Sequence, residues 1–225
     1  MRGVPLALLT MFGLAVSGVA ADTSWVPLFN SKNLDGWEVI GDGIWTVMRD
    51  GTLLGQRDLT KKYEIEKGSL KDINQSWLYT KRDFGEFDLH VEWWTRYGGN
   101  SGVSLRDPTR ARYAIFGPEA DKTKSPSHSG YEIQINNHYK DQYTTGSVYN
   151  FDKAQTGFQN DDEWNAFDIE VRDATGIKVK LNGHLVSQFV GVPGRPLRGP
   201  IGLQLHDENS VVMFRNIKIK EISRK

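Results

Sequence analysis

The stretch Ser129-Gly130-Tyr131-Glu132-Ile133-Gln134-Ile135-Asn136 (SGYEIQIN) has the pattern of a β-strand with two different faces. Its odd positions carry Tyr, Ile and Ile, and its even positions carry Glu, Gln and Asn. Successive side chains of a β-strand point to opposite faces of a sheet. The stretch is therefore predicted to be a strand with one apolar face against a core and one face that carries a carboxylate and two amides. That polar face is either an ordinary solvated surface or the floor of a binding or catalytic site.

Similar short strands recur along the chain. Residues 87–96 alternate between apolar and polar side chains, and Asn182-Gly183 is a typical two-residue hairpin turn. Residues 61–70 are the best helix candidate, but they are charged on all sides. Many short strands without a convincing helix predict an all-β protein, a two-sheet antiparallel β-sandwich of jelly-roll type. The loops 107–129 and 137–164 are unusually long and are expected to lack helices, a combination that is usually functional or mobile.

The composition narrows the class of protein. The chain has 225 residues, with 28 Lys plus Arg against 28 Asp plus Glu, so its formal net charge is zero. A nucleic-acid partner usually needs a basic surface, so none is predicted. The chain has no cysteine, which excludes disulfides, thiolate catalysis and Cys-bound metals. Its many glycines and aromatic residues suit tight β-turns and a carbohydrate partner, because aromatic rings stack on sugar faces.

The first 21 residues have the order of an export signal. Arg2 gives a charged start, residues 4–16 are nearly all apolar, and small residues precede Asp22. The apolar run is too short to indicate a membrane span. We therefore expect a signal peptide over residues 1–21, a single domain over residues 22–225 and an exported protein, periplasmic or extracellular, with no stable membrane span after cleavage. A retained N-terminal anchor is the alternative.

Polar side chains on three predicted strands are candidates for one shared site. Each strand has two polar residues that alternate with apolar ones and therefore point away from the core. If the three strands are neighbours in one curved sheet, their outer faces form a polar cleft. Each of these residues taken alone fits an ordinary surface position equally well. The pairs are Ser104 with Arg106, Glu132 with Gln134, and Gln204 with His206. His128 and His138 flank the middle strand and are further candidates to touch a substrate.

Several short motifs, in order, resemble the 3-keto-disaccharide hydrolase family. They are residues 29–37 (FNSKNLDGW), 99–103 (GNSGV), 130–135 (GYEIQI), 163–165 (EWN), 182–183 (NG), 199–206 (GPIGLQLH) and 214–219 (FRNIKI). The resemblance covers about residues 25 to 222 and implies a concanavalin A-like jelly roll, similar to certain glucanases, with its cleft on the concave sheet. It implies a site of Arg106, Glu132, Gln134, Gln204 and His206, with Asn100 at the rim. Asn136, where the family often has Asp, and a long loop over residues 109–127 are departures that leave the sugar open.

The family's substrates explain how a site with one carboxylate can work. Ordinary glycoside hydrolysis needs two carboxylates about 5 to 9.5 Å apart, but Gln134 and Asn136 cannot titrate. A 3-keto sugar needs one base, because the ketone acidifies the C2 hydrogen. We therefore expect Glu132 to act as base, His206 as acid for the leaving oxygen and Arg106 as charge stabiliser. A divalent metal ion held by Glu132 and His206 is an alternative electrophile.

Two other functions remain open at this stage. A non-catalytic carbohydrate-binding module would use the same fold, since a fold does not determine function. A glucanase-like glycoside hydrolase is a third reading, which Gln134 and Asn136 oppose. Substrate contacts are expected from Gln134, Gln204, Asn100, Ser104, Trp94, Tyr149 and His138, with a small oxidised glycoside or oligosaccharide as the ligand.

Overall fold

The computed structural model describes residues 24–58, 75–115, 117–136, 142–174, 176–206 and 210–222. Within these ranges the chain forms thirteen strands and one short helix. The strands are β1 (Val26–Pro27), β2 (Trp37–Ile40), β3 (Ile44–Val47), β4 (Leu53–Gln56), β5 (Ser76–Thr80), β6 (Phe87–Thr95), β7 (Asn100–Leu105), β8 (Tyr131–Asn136), β9 (Asn165–Arg172), β10 (Gly176–Leu181), β11 (His184–Phe189), β12 (Ile201–Leu205) and β13 (Val211–Glu221), and the helix is α1 (Pro126–Ser129). The predicted all-β class is confirmed.

The strands form two antiparallel sheets. The larger has eight strands in the order β11-β10-β9-β6-β13-β4-β3, with β1 beside β13. The smaller has five strands in the order β2-β5-β12-β7-β8. The predicted two-sheet sandwich is thus confirmed. The strands β7, β8 and β12, which carry the candidate site residues, are direct neighbours in the smaller sheet.

A hydrophobic core fills the space between the sheets. Strand β6 buries Phe87, Leu89, Val91 and Trp93 completely or nearly so, whereas the residues between them are partly exposed. Strand β8 buries Tyr131, Ile133 and Ile135 against the same core. The period of two in the sequence therefore identifies the core face of both strands correctly.

The opposite face of the smaller sheet is polar but not solvated. Glu132, Gln134 and Asn136 are 6%, 4% and 7% exposed. The register places Ser104 opposite Glu132, and Gly102 opposite Gln134. The polar side chains of β8 thus lie in an enclosed environment. This face is therefore not an ordinary solvated surface, which was one of the two interpretations of the sequence.

The long loop 107–129 differs from the prediction. It contains a 3₁₀ turn over Lys122–Lys124 and the one-turn helix α1, so the expectation that it lacks helices is wrong. Pro126 opens α1 at a position where its missing N–H is not needed. Residues 61–70 and the predicted signal peptide lie outside the described residues. In the part of the chain that the structure describes, no helix is long and apolar enough to cross a membrane.

Candidate active site

A cleft of about 440 Å³ lies over the polar face of the smaller sheet. The strands and their ends contribute its floor, from Asn100, Glu132, Gln134, Gln204 and His206. The segment that leads into α1 contributes one wall, and Tyr149 and Asn150 lie at another side. The sheet register is what brings the floor residues together, because they are far apart in sequence.

Glu132 is the carboxylate of this floor. Burial raises its pKa to about 8, and the negative charge of Asp107 adds to the rise. A hydrogen bond from the Gln204 side chain favours the charged form and partly opposes the shift. A carboxyl group with such a pKa changes its protonation state near neutral pH, which is the range in which a general base or acid is most effective.

Gly102 makes room for this carboxyl group. A Cβ atom at position 102 would lie 2.6 Å from Glu132 Oε1, closer than carbon and oxygen can approach. The Glu132 side chain therefore lies across the backbone of β7 at a point where only glycine leaves space. On the neighbouring strand β12, Gly202 makes room for the Tyr79 ring in the same way, because a Cβ atom at position 202 would lie 2.4 Å from that ring.

Two buried acceptor atoms of the cleft have no hydrogen-bond partner in the part of the chain that the structure describes. Asn100 Oδ1 and Gln204 Oε1 are buried and form no hydrogen bond among the described residues. Leaving a buried acceptor unsatisfied costs about 1–3 kcal/mol. Both side chains line the cleft, so a rotation of either amide would bring its oxygen within reach of a ligand's hydroxyl donor. A sugar carries such donors at nearly every carbon.

Asp107 anchors the loop that closes one side of the polar face. Its Oδ1 accepts from the backbone N–H and hydroxyl of Thr109 at 2.9 and 2.7 Å. Its Oδ2 accepts from the backbone N–H of Ala111 at 2.8 Å and from the Tyr79 hydroxyl at 3.2 Å. The loop then packs Ala111 and Ala114 onto Trp77 and Tyr79. This packing covers the β5 side of the face and leaves the Glu132 side open.

The wall of the cleft was largely missed from the sequence. It presents Lys122, Ser125 and His128 to the cleft. His128 Nδ1 lies 2.8 Å from Ser125 Oγ. Burial, followed by the positive charge of Arg195, holds the pKa of His128 below its ordinary value. The dipeptide Ser125-Pro126, a common way to begin a helix, was the available sequence signal for α1.

Six of the ten predicted site residues meet in the cleft, and His138 lies outside the described residues. Those that line the cleft are Glu132, Gln134, Gln204, His206, Asn100 and Tyr149. Tyr149 is held beside the floor because its backbone N–H donates to the Glu132 carbonyl at 2.9 Å. Ser104 shares the face, but it is fully buried, and its Oγ lies 3.0 Å from the Tyr79 hydroxyl oxygen. The expectation that Ser104 contacts substrate is therefore corrected to a supporting position beneath the cleft.

Arg106 does not join the cleft, contrary to the prediction. It follows the last residue of β7 and has a φ of 60°, so the alternation of the strand no longer sets its direction. Its side chain is buried, donates to the Gly85 carbonyl at 2.6 Å and pairs with Asp173 at 2.8 Å. The assignment of Arg106 as charge stabiliser is thus wrong on geometry, because the arginine connects the sheets at a different place.

The prediction that Trp94 contacts the substrate is also wrong. It belongs to β6 of the larger sheet, where its neighbour Trp93 faces the core. Alternation therefore puts Trp94 on the outer face of that sheet, and its Nε1 donates to the Asp162 carbonyl at 3.0 Å. It lies on the opposite side of the sandwich from Glu132 and cannot stack on a sugar in the cleft.

The described side chains do not form a metal centre. Among residues 24–58, 75–115, 117–136, 142–174, 176–206 and 210–222, no three His, Asp or Glu side chains are grouped so that they could hold an ion. Glu132 and His206 line the cleft together, but burial favours the protonated form of Glu132, which is a poor ligand.

Comparison with known proteins places the chain among carbohydrate-related proteins. The model of the family described as "3-keto-alpha-glucoside-1,2-lyase-like domain" matches residues 24–220. No curated protein sequence matches the chain. A Parabacteroides distasonis structure named "putative glycosyl hydrolase" is 25% identical, with a TM-score of 0.63, over 88% of this chain and 100% of that chain. A second structure of the same name and organism is 22% identical, with a TM-score of 0.64, over 89% of this chain and 95% of that chain.

A carbohydrate-binding module has a similar fold. The module CBM66 from Bacillus subtilis is 14% identical, with a TM-score of 0.51, over 83% of this chain and 96% of that chain. At that identity the likeness concerns the fold alone. Together, the family match and the 25% identical Parabacteroides distasonis structure support a carbohydrate-related function.

Proposed function

Because the chain belongs to the 3-keto-alpha-glucoside-1,2-lyase-like family, we propose that it is an exported enzyme that cleaves 3-keto-glycosides by base-assisted elimination followed by hydration. The observation that carries this proposal is Glu132, a buried carboxyl group with a pKa raised to about 8 on the floor of a sugar-sized cleft. The ligand class is a small oxidised glycoside or oligosaccharide.

The cleft favours a mechanism with a single carboxylate. Glu132 is the one carboxylate that lines it in the described part of the chain. Asp107 is fully buried and already accepts four hydrogen bonds, so it is not available to a substrate. A conventional glycosidase needs a second carboxyl group about 5 to 9.5 Å from the first. The glucanase-like reading is therefore the weaker one.

The proposed reaction needs no oxidant or reductant. Glu132 takes the proton from C2 of the sugar, and the electron pair of that bond forms the enolate of the C3 ketone. As the ketone re-forms, a C1–C2 double bond appears and the C1–oxygen bond breaks. The leaving oxygen takes a proton and departs as an alcohol. Water then adds across the double bond, so that the net reaction is hydrolysis.

Other residues of the cleft supply the remaining roles. We assign His206 as the acid for the leaving oxygen, because it lines the same cleft as Glu132. Lys122, a cation of the wall, takes the charge-stabilising role that the sequence had suggested for Arg106. The free oxygens of Asn100 and Gln204 accept hydrogen bonds from sugar hydroxyl groups.

The test is to incubate the mature protein with a 3-keto-disaccharide and with the matching unoxidised disaccharide. We expect released monosaccharide from the oxidised sugar alone. Release from both would indicate a conventional glycosidase. Binding of both sugars with release from neither would favour a carbohydrate-binding module and reject the enzyme.

Export is part of the same proposal and has its own test. The charged, apolar and small-residue order of residues 1–21 motivates it. N-terminal sequencing of protein recovered from the periplasm or medium is expected to begin at Asp22. Recovered protein that begins at Met1 would contradict cleavage.

A further inference from the structure

Arg195 lies behind the wall of the cleft and binds the one-turn helix α1. Its guanidinium donates to the Ser127 carbonyl at 2.8 Å and also to the Gly130 carbonyl. These two carbonyls lie within and just after α1. One planar side chain thus satisfies two backbone acceptors at the place where the wall joins strand β8.

Two aromatic rings fix the plane of the same guanidinium. Its carbon lies 4.7 Å from the centre of the Phe151 ring and 5.2 Å from the centre of the Tyr131 ring. Tyr131 in turn accepts a hydrogen bond from the backbone N–H of Val192, at 2.9 Å. The loop that carries Arg195 is therefore tied to β8 at a second point, and the arginine has little freedom to move away from α1.

The other side of α1 faces the cleft. Ser125, which precedes the helix, and His128, within it, both line the cleft and contact each other at 2.8 Å. A one-turn helix has too few internal hydrogen bonds to be stable alone. Among the contacts that hold this turn, the two carbonyl bonds from Arg195 come from outside the segment.

We propose that Arg195 is a positioning residue, which holds α1 so that the His128 imidazole points into the cleft and contacts bound substrate. Arg195 itself does not line that cleft. It binds the wall from the side that faces away from the cleft. Its hydrogen bonds go to backbone carbonyls, which are present whatever the side chains of α1 are. The part of the proposal that concerns substrate rests on the proposed function, whereas the placement of His128 does not.

The placement can be measured without any substrate. We would follow the five histidines by NMR in isotope-labelled protein, and would assign the His128 signal with His128→Gln. In Arg195→Met the His128 signal is expected to shift and its pKa to rise, because the imidazole loses the neighbouring positive charge of Arg195. Among the described residues, Asp121 also acts on this imidazole, and Lys122, Glu132 and His206 line the same cleft; all four are unchanged in the variant.

Arg195→Lys separates charge from geometry. Lysine keeps a positive charge but has no planar group to stack on the Phe151 and Tyr131 rings, so its ammonium is not held in place at the two carbonyls. We expect the His128 pKa of this variant to lie between those of wild type and Arg195→Met, and its signal to move away from the wild-type position. It also serves as the test protein if Arg195→Met does not fold.

Arg198→Met is the matched control. Arg198 is in the same connection, but its guanidinium donates to the Asp83 carbonyl, at 2.8 Å, and not to α1. We expect wild-type histidine signals and pKa values in this variant. An equal change in Arg198→Met and Arg195→Met would mean that the effect is one of net charge, and would overturn the proposal.

A kinetic measurement tests the contact with substrate. A misplacement of about 1 Å can cost about 10²-fold in rate, so we expect kcat/KM of Arg195→Met to fall by about that factor while Arg198→Met retains wild-type activity. Three outcomes would contradict parts of this account. Unchanged His128 signals in folded Arg195→Met would overturn the positioning role, whatever the enzyme's substrate. A shifted His128 with unchanged kcat/KM would overturn the contact with substrate. If wild type turns over no 3-keto-glycoside, the proposed function fails, and the NMR result alone decides the positioning role.

Discussion

Glu132 combines properties that rarely occur together in a strand residue. It is followed on the same face of β8 by Gln134 and Asn136, it is 6% exposed, and its pKa is raised to about 8 by burial and by Asp107. Below that pH the carboxyl group is mainly protonated, and above it the carboxylate is available as a base. The rate of base-assisted elimination should therefore rise with pH through about 8 if Glu132 is the base.

Gly102→Ala tests whether the carboxyl group has to lie over β7. The added methyl group would meet Glu132 Oε1 at 2.6 Å, and the carboxyl end is the part that can move. We expect the variant to fold with a melting temperature close to wild type, but to lose about 10²-fold in kcat/KM because the base is displaced. Full activity in Gly102→Ala would show that the observed position of Glu132 is not required.

Arg106→Met tests the corrected position of this arginine. The change leaves Asp173 without its buried ion-pair partner, which typically costs about 3–5 kcal/mol. We expect a clearly lower melting temperature and, at a temperature where the variant is folded, kcat/KM within about 2-fold of wild type. Arg82→Met is the control, because it removes an exposed ion pair with Glu221 and should change stability little. A large kinetic loss in folded Arg106→Met would restore the catalytic role.

At the scale of the elements, the strands could be predicted and the wall of the cleft could not. Alternation identified the faces of β7, β8 and β12, because buried and polar positions obey a period of two inside a strand. The rule ends where a strand ends, and this is why Arg106, one residue beyond β7, was placed wrongly. Alternation does not predict which strands pair with each other. Only the family resemblance indicated that these three strands lie side by side.

The wall depends on contacts that leave no periodic signal. His128 was recognised only as a neighbour of β8, and Lys122 was not considered. Their positions result from a 3₁₀ turn, a one-turn helix and an arginine about 65 residues further along the chain. Such long-range bonds to backbone carbonyls cannot be read from residue types.

Asp107→Asn tests how the loop anchor influences the base. The negative charge of Asp107 disfavours ionised Glu132, so its removal should lower the pKa of Glu132. We expect the inflection of kcat/KM against pH to move below the wild-type position. Glu119→Gln, which removes an exposed acid of the same loop, should leave the inflection unchanged. An inflection of Asp107→Asn that stays in place or moves to higher pH, in a variant shown to be folded, would contradict this electrostatic link.

In the whole molecule the two sheets have different roles. The larger sheet provides most of the hydrophobic core, and the smaller sheet carries the candidate site. The larger sheet contributes most of the core through long strands such as β6 and β13, whereas the smaller sheet presents its polar face to the cleft. The smaller sheet buries a carboxyl group on that face, and burial of an ionisable group opposes folding whenever the group is charged. The site should therefore reduce the stability of the fold at high pH.

Glu132→Gln is predicted to be more stable than wild type in alkaline solution. The folded-state pKa of about 8 lies above the ordinary value of 4.5, so the folded protein binds more protons and wild-type stability falls as pH rises between these values. The difference between variant and wild type should grow over this interval to an upper limit on the order of 5 kcal/mol. Melting temperatures from pH 4 to pH 9 check this. Parallel curves for the two proteins would show that Glu132 has an ordinary pKa.

The most direct test of the central claim is turnover of a 3-keto-disaccharide by wild type and by Glu132→Gln, measured from pH 6 to pH 9. Glutamine keeps the shape of the side chain but cannot act as a base. Loss of a general base costs about 10²- to 10⁴-fold, so we predict that the wild-type rate rises through about pH 8, and that the variant, folded by its melting curve, loses activity by that factor at every pH. A folded Glu132→Gln protein with near wild-type turnover and the same pH profile would contradict the account.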